Sequence, residues 1–194
     1  MRMLEKFLVR IPERLNNTIS IAGNELYLDN RFNEFEHRVV EGEVMSTPMR
    51  YEECPVNKGD TLYFHHHVVI DKGQKLMYED DDIYIVNYHP THPYSSQAFA
   101  YKNQQGKVRP LSNWVLLEPI DPKPKTTSEF LHLLDKEEDN ERGKVVMLTE
   151  EMREHGLKIG DVVGFSKNSD YEINIDGTKY WRMRMDDLLY YVKD

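Results

Sequence analysis

Cysteine is almost absent from this sequence, and its scarcity removes one way of holding a fold together. Cys54 stands alone, so no disulfide can form within the chain and a reducing compartment is expected. An excess of basic residues is also missing. The net charge is −9, which argues against a nucleic-acid partner, because such proteins present a basic face that displaces phosphate counterions. No apolar run approaches the roughly 20 residues of a membrane-crossing helix. The opening residues, Met1 to Arg10, are too interrupted by charge for a secretory leader. A cytoplasmic protein with neither membrane nor nucleic acid among its partners is expected.

Motifs that carry chemistry are scarce as well. There is no Gly-rich phosphate loop and no nucleophile elbow. Cys54, just before Pro55, has no nucleophile signature. No catalytic residue and no cofactor is assigned, and the protein is expected not to be an enzyme. His65-His66-His67 invites a metal reading, with His89 and His92 as further donors. In a strand, however, His65 and His67 face one way and His66 the other. No cysteine or acidic residue is fixed nearby by spacing. A surface or interface strand is the expected role, and no metal site is assigned. Asp80-Asp81-Asp82 lacks the glycine-punctuated spacing of an EF-hand loop and is expected to be a solvated turn.

What the chain does contain is a repeat. Charged residues make up 30% and hydrophobic residues 39%, a balance that suits two small domains better than one large core. Gly42-Glu43-Val44 stands 17 residues before Gly59-Asp60, and Gly143-Lys144-Val145 stands 17 before Gly160-Asp161. Each Gly-Asp pair opens a similar strand, Thr61 to Phe64 and Val162 to Phe165. Upstream, Arg14 to Ile21 echoes Pro110 to Leu117. Downstream, Tyr84-Ile85-Val86 pairs with Tyr180-Trp181-Arg182, and Ala98 to Lys102 with Leu188 to Lys193. In this alignment the first copy's upstream loop is about five residues shorter. Asn103-Gln104-Gln105-Gly106 reads as the linker.

The elements are short, rich in Val, Ile, Tyr and Trp, and separated by turn signals, which predicts β-barrel or sandwich units. Asp176-Gly177 predicts a tight hairpin, and only Thr149 to His155 reads as helical, for one or two turns.

The ordered landmarks of the second copy resemble the GroES family of co-chaperonins. Arg109-Pro110-Leu111 with Trp114 to Leu117 looks like that family's opening strand. Gly143 to Val146 looks like its "GKVV" strand, and Gly160 to Lys167 resembles "GDKVLFSK". Ile175 to Tyr180 and Asp187 to Tyr190 are similar to its closing pieces. The first copy matches more loosely. The resemblance implies an all-β fold of two tandem GroES-like, partly open β-barrel domains. These span residues 13–102 and 107–194, after an N-terminal extension over 1–12 and around a linker over 103–106.

It further implies a co-chaperonin that caps a GroEL-type chaperonin as a homo-oligomeric, sevenfold ring, enclosing an unfolded client protein. Docking in the family runs through a mobile loop, here Glu118 to Arg142, whose prolines and charges disfavour packed structure. Its one apolar island, Phe130-Leu131-His132-Leu133-Leu134, is the docking candidate. Either Phe130-Leu131-His132 or Leu131-His132-Leu133 matches the family tripeptide, and a short core strand or helical turn is the alternative. In the first copy the equivalent is Ala22 to Arg38, with Leu26-Tyr27-Leu28 as its island. There, alternation around Gly23-Asn24 equally predicts an ordered hairpin. The segments Met45 to Asn57 and Met147 to Ile159 show no glycine-turned roof hairpin, like the roofless co-chaperonins of some bacteriophages. The rival readings are a structural or binding protein that keeps the fold without docking, and a medium-chain dehydrogenase, whose length and dinucleotide fingerprint the chain lacks.

Overall fold

The protein is described from a computed structural model. It describes all residues except 1–2, 22–23, 28, 30–36, 71–74, 79–80, 121–140, 168 and 193–194. The chain divides into two compact units, Met1–Ser112 and Asn113–Asp194.

The first unit is built on a seven-stranded antiparallel sheet. Its strands are β1 (Lys6–Arg10), β4 (Glu41–Ser46), β5 (Thr61–Phe64), β6 (Lys75–Tyr78), β7 (Asp81–Asn87), β8 (Ala98–Lys102) and β9 (Val108–Pro110), in the order β6-β7-β1-β4-β5-β8-β9. A separate pair, β2 (Thr18–Ile21) and β3 (Asn24–Tyr27), forms a two-stranded sheet. The second unit holds β10 (Trp114–Pro119), β11 (Arg142–Met147), β12 (Val162–Phe165), β13 (Tyr171–Ile175), β14 (Thr178–Arg184) and β15 (Leu188–Val192). Their order is β13-β14-β10-β11-β12-β15. Element by element, the two orders are the same, with β9 and the β2–β3 pair as additions to the first unit. The expected all-β fold and tandem duplication are both present.

The likeness reaches individual hydrogen bonds. The Val44 N–H donates to Asp60 O and the Gly59 N–H to Val44 O; Val145, Asp161 and Gly160 repeat this, at 2.8–2.9 Å throughout. The Asp60 carboxylate accepts from the Asn57 N–H at 2.8 Å, and Asp161 accepts from Lys158 at 2.9 Å. Both aspartates are buried, where an unmatched carboxylate would be costly. Gly59 and Gly160 take φ of 88° and 101°, which only glycine adopts without strain. The 17-residue spacing therefore encodes a turn that closes on itself.

The paired glycines at Gly42 and Gly143 serve another purpose, because the first strand of each unit crosses directly over them. A Cβ on Gly42 would stand 2.5 Å from Val9 Cγ1 and 2.7 Å from Arg10 O, and one on Gly143 would stand 3.0 Å from Leu117. Each core gathers beneath these strands. Phe7, Val9, Ile11, Leu62, Phe64, Tyr84 and Val86 are buried in the first unit; Val115, Leu117, Val163, Phe165, Trp181 and Met183 are buried in the second.

Several expectations are corrected. Residues 1–12 are not an extension, since β1 is an interior strand of the sheet, paired with both β4 and β7. Its counterpart is β10, so Leu8 matches Leu116, and the echo of Pro110 to Leu117 in Arg14 to Ile21 does not correspond to structure. The connection to the next strand is longer in the first unit, not shorter: Val9 to Val44 spans 35 positions against 28 from Leu117 to Val145. Tyr84 matches Trp181 rather than Tyr180, through their pairing with Val9 and Leu117. A slip of one residue in a strand exchanges its two faces.

Residues 103–106 are the turn of the β8–β9 hairpin, with Gly106 at φ 79° and the Asn103 carbonyl accepting from the Gly106 N–H at 2.8 Å. Asp81 and Asp82 begin β7, and Asp82 pairs with Lys75, so they are not a turn. The β13–β14 hairpin is as expected, Asp176 and Gly177 having φ of 51° and 81°. The helix, α1 (Glu150–Glu154), follows Thr149 and buries Met152. Residues 47–60 and 148–161 contain no strand. No helix among the described residues is long and apolar enough to cross a membrane.

Candidate functional site

In both units the connection from the first strand to the second is the longest excursion from the sheet. In the second unit it leaves from Pro119 and returns at Arg142. Glu118 faces Lys144 and Pro119 faces Gly143 in antiparallel register, so the excursion starts and finishes on neighbouring strands, within roughly 5 Å of each other. Phe130, Leu131, His132, Leu133 and Leu134 lie on it, outside the described residues.

In the first unit the excursion has an ordered base. The Asn16 N–H donates to His37 O at 2.7 Å and the Val39 N–H to Arg14 O at 2.9 Å. Beyond that, β2 and β3 pair from Thr18↔Tyr27 to Ile21↔Asn24, as the alternation around Gly23-Asn24 predicts. Leu26 and Tyr27 of the expected island sit on β3, 49% and 88% exposed; Leu28 is outside the described residues. A two-stranded hairpin is marginal by itself, and Leu26 and Tyr27, facing solvent, bury little area to stabilise it.

Sequence reasoning missed a second surface. β15 is the edge strand of its sheet, and Leu189, Tyr190, Tyr191 and Val192 are 66%, 51%, 43% and 56% exposed. Its counterpart β8 is buried along Ala98–Tyr101 and has its edge paired by β9. A long exposed apolar edge is a template for another strand. The signal in sequence is the closing segment Leu188 to Val192, a run of consecutive apolar residues.

The histidines also fall differently from the strand reading. His65 follows β5 and caps a 3-10 turn over His66–Val69, so all three imidazoles gather, their ligating atoms within 4.8 Å of one another. His89 and His92 lie together elsewhere, their tilted rings 4.4 Å apart. Cys54 is half-buried, and burial pushes its thiol up, the opposite of an activated nucleophile. In the second unit, burial pushes the Arg182 guanidinium down to about 10. It lies against the faces of Tyr171 and Trp114, 4.1 and 4.8 Å from their ring centres, a contact that offsets part of the desolvation.

Comparison with known proteins matches the second unit. The family model described as the chaperonin 10 Kd subunit covers residues 107–192. The co-chaperonin GroES of Rhodothermus marinus is 36% identical over 89 residues, covering 43% of this chain and 89% of that protein. Co-chaperonin GroES of Petrotoga mobilis is 32% identical over 87 residues, covering 45% of this chain and 98% of that protein. These relatives are matched nearly whole by less than half of the present chain.

Proposed function

Because the chain belongs to the GroES family of co-chaperonins, we propose that it caps a GroEL-type chaperonin and assists ATP-dependent folding of an enclosed client protein. The observation that carries this reading is the extent of the family match. The matched range, residues 107–192, includes β10, the 120–141 excursion and β11, which supports reading that excursion as the docking segment. Within that excursion, Phe130 to Leu134 supplies the apolar contact. ATP hydrolysis belongs to the chaperonin, and this chain works by binding alone.

The energetics suit a lid that must come off. Ordering a loop costs about 1–2 kcal/mol per residue, so one docked island retains little net affinity. Several copies held together make later dockings intramolecular and restore avidity. The exposed apolar edge of β15 supports such an assembly, with a second copy's strand adding to it as β9 adds to β8. A sevenfold ring would present fourteen such units, and exposed Leu26 and Tyr27 give each copy a second point of attachment.

The test is a pull-down with a GroEL-type chaperonin and ATP, together with inhibition of the chaperonin's ATPase. Leu131→Ser with Leu133→Ser should abolish both and leave the circular dichroism spectrum unchanged. Equal binding by the variant would remove the island from the mechanism. No association by the unaltered protein would leave a family member that keeps the fold for structural or binding work elsewhere.

A further inference from the structure

The corner after β5 carries three consecutive histidines where the matching corner of the second unit carries none. In the first unit the Phe64 N–H donates to Val40 O at 2.8 Å and the His65 N–H to Gln97 O at 2.9 Å. In the second, the Phe165 N–H donates to Glu141 O and the Ser166 N–H to Asp187 O, both at 3.1 Å. There the residues following Phe165 are Ser166, Lys167 and Asn168. The fold therefore makes this corner without imidazoles, and packing does not explain why three occur together.

The 3-10 turn is what brings them together. Val68 and Val69 are buried and pin it to the core, and its tight winding replaces the alternation that a strand would impose. Ring centres stand 4.3 Å apart for His65–His66, 4.4 Å for His65–His67 and 4.1 Å for His66–His67. With metal–nitrogen bonds of about 2.0–2.1 Å, tetrahedral ligands are roughly 3.4 Å apart, so nitrogens already within 4.8 Å need only small side-chain rotations. Neutral imidazoles favour zinc, nickel, cobalt(II) and copper(II) over the hard oxygen-seeking cations. His65 Nδ1 accepts the His67 N–H at 3.3 Å, a long contact that ligation through Nδ1 would exchange for a metal bond. His67 is exposed and its two neighbours are half-buried, so an ion can arrive from solvent.

We propose that His65, His66 and His67 form a binding site for a divalent transition metal of the zinc class, with water completing the coordination. The site belongs to the first unit and is independent of chaperonin docking.

Calorimetric titration of the full chain with zinc, and visible absorption with cobalt(II), tests it. One metal should bind per chain, and cobalt should show the intense bands of a low-coordinate nitrogen site. Writing the second unit's own residues into the corner, His65→Ser with His66→Lys and His67→Asn, should weaken zinc at least about a hundredfold, each lost ligand costing tenfold or more. Metal-free melting should not change. His67→Asn alone, at the exposed end, should cost about tenfold and guards against misfolding of the triple variant. Replacing His89 and His92 with Gln should leave binding intact. No saturable zinc binding by the unaltered chain, retention by the triple variant, or loss in the His89/His92 variant would each overturn the proposal.

Discussion

The two units share a strand order and a set of turns, yet they distribute their side chains differently. At one cross-strand position the first unit sets Tyr63 against Ala100, while the second sets Gly164 against Tyr190. A Cβ on Gly164 would stand 2.2 Å from the Tyr190 ring, so the aromatic group has changed strands and the glycine makes room for it. What the duplication preserves is the backbone hydrogen-bond frame. Volume, edge exposure and corner chemistry have drifted within it. The differences concentrate in three places: the first-to-second-strand excursion, the last strand's edge and the corner after the third strand of each frame.

Both tryptophans, Trp114 and Trp181, lie in the second unit, so tryptophan fluorescence reports that unit alone while circular dichroism reports both. The largest expected effect uses this difference. Trp181→Ala, at a fully buried position, should cost the second unit about 3–5 kcal/mol and leave a separate unfolding transition for the first. A single shared transition shifted as a whole would show instead that the units fold as one.

Alkaline pH should separate the units next. In the first, burial raises the Cys54 thiol and the Tyr84, Tyr88 and Tyr101 hydroxyls above ordinary values of 9.0 and 10.0. These groups hold their protons in the folded unit after the unfolded chain has lost them. Their stabilising contribution is full below about pH 9 and is lost as pH climbs through the folded values. Arg182 has the opposite sign: burial lowers it from 12.5 to about 10, so between those values the unfolded chain binds more protons and stability rises with pH. Raising pH from 9 to 11 should therefore unfold the first unit while tryptophan fluorescence still reports a folded second unit. Simultaneous loss would contradict this.

Two glycine substitutions refine the comparison. Gly42→Ala drives a Cβ into backbone at 2.7 Å, whereas Gly143→Ala meets a side chain at 3.0 Å. Overpacking costs about 1–3 kcal/mol, with Gly42→Ala at the upper end and Gly143→Ala at the lower, measured by urea denaturation. The smallest effect is Gly106→Ala. Its Cβ would meet nothing, but φ is 79°, so a loss of about 1 kcal/mol is expected. A neutral result would fit a slack linker better than the hairpin turn of β8–β9.

Much of the fold was legible because it is written locally. Asp176-Gly177 specifies its hairpin within two residues, and each Gly-Asp turn closes bonds to residues a few positions away. Two misreadings were local, the 103–106 hairpin turn taken for a linker and the histidine corner taken for a strand; the rest were of longer range. Nothing in Lys6–Arg10 announces that it pairs with both Glu41–Ser46 and Asp81–Asn87, and a charged, short opening strand looks like a tail. Tyr84 was aligned with Tyr180 because like letters attract, but facing Val9 and Leu117 fixes Trp181 as its equal. The apolar island Phe130 to Leu134 rests on composition alone and lies outside the described residues. The open edge of β15 has no such sign, since exposure depends on neighbours distant in sequence, whereas the histidines are visible as a run and only the 3-10 turn that gathers them is not.

By itself, then, the sequence determined the duplication, the β class and the Gly-Asp and Asp-Gly turns, because each depends on dihedral preferences and hydrogen bonds spanning a few residues. Only the tertiary structure decided which strands lie inside each sheet and which edge remains open among the described residues. Those follow from pairings across tens of residues, whose register is set by burying one face of a strand and is invisible to any local pattern.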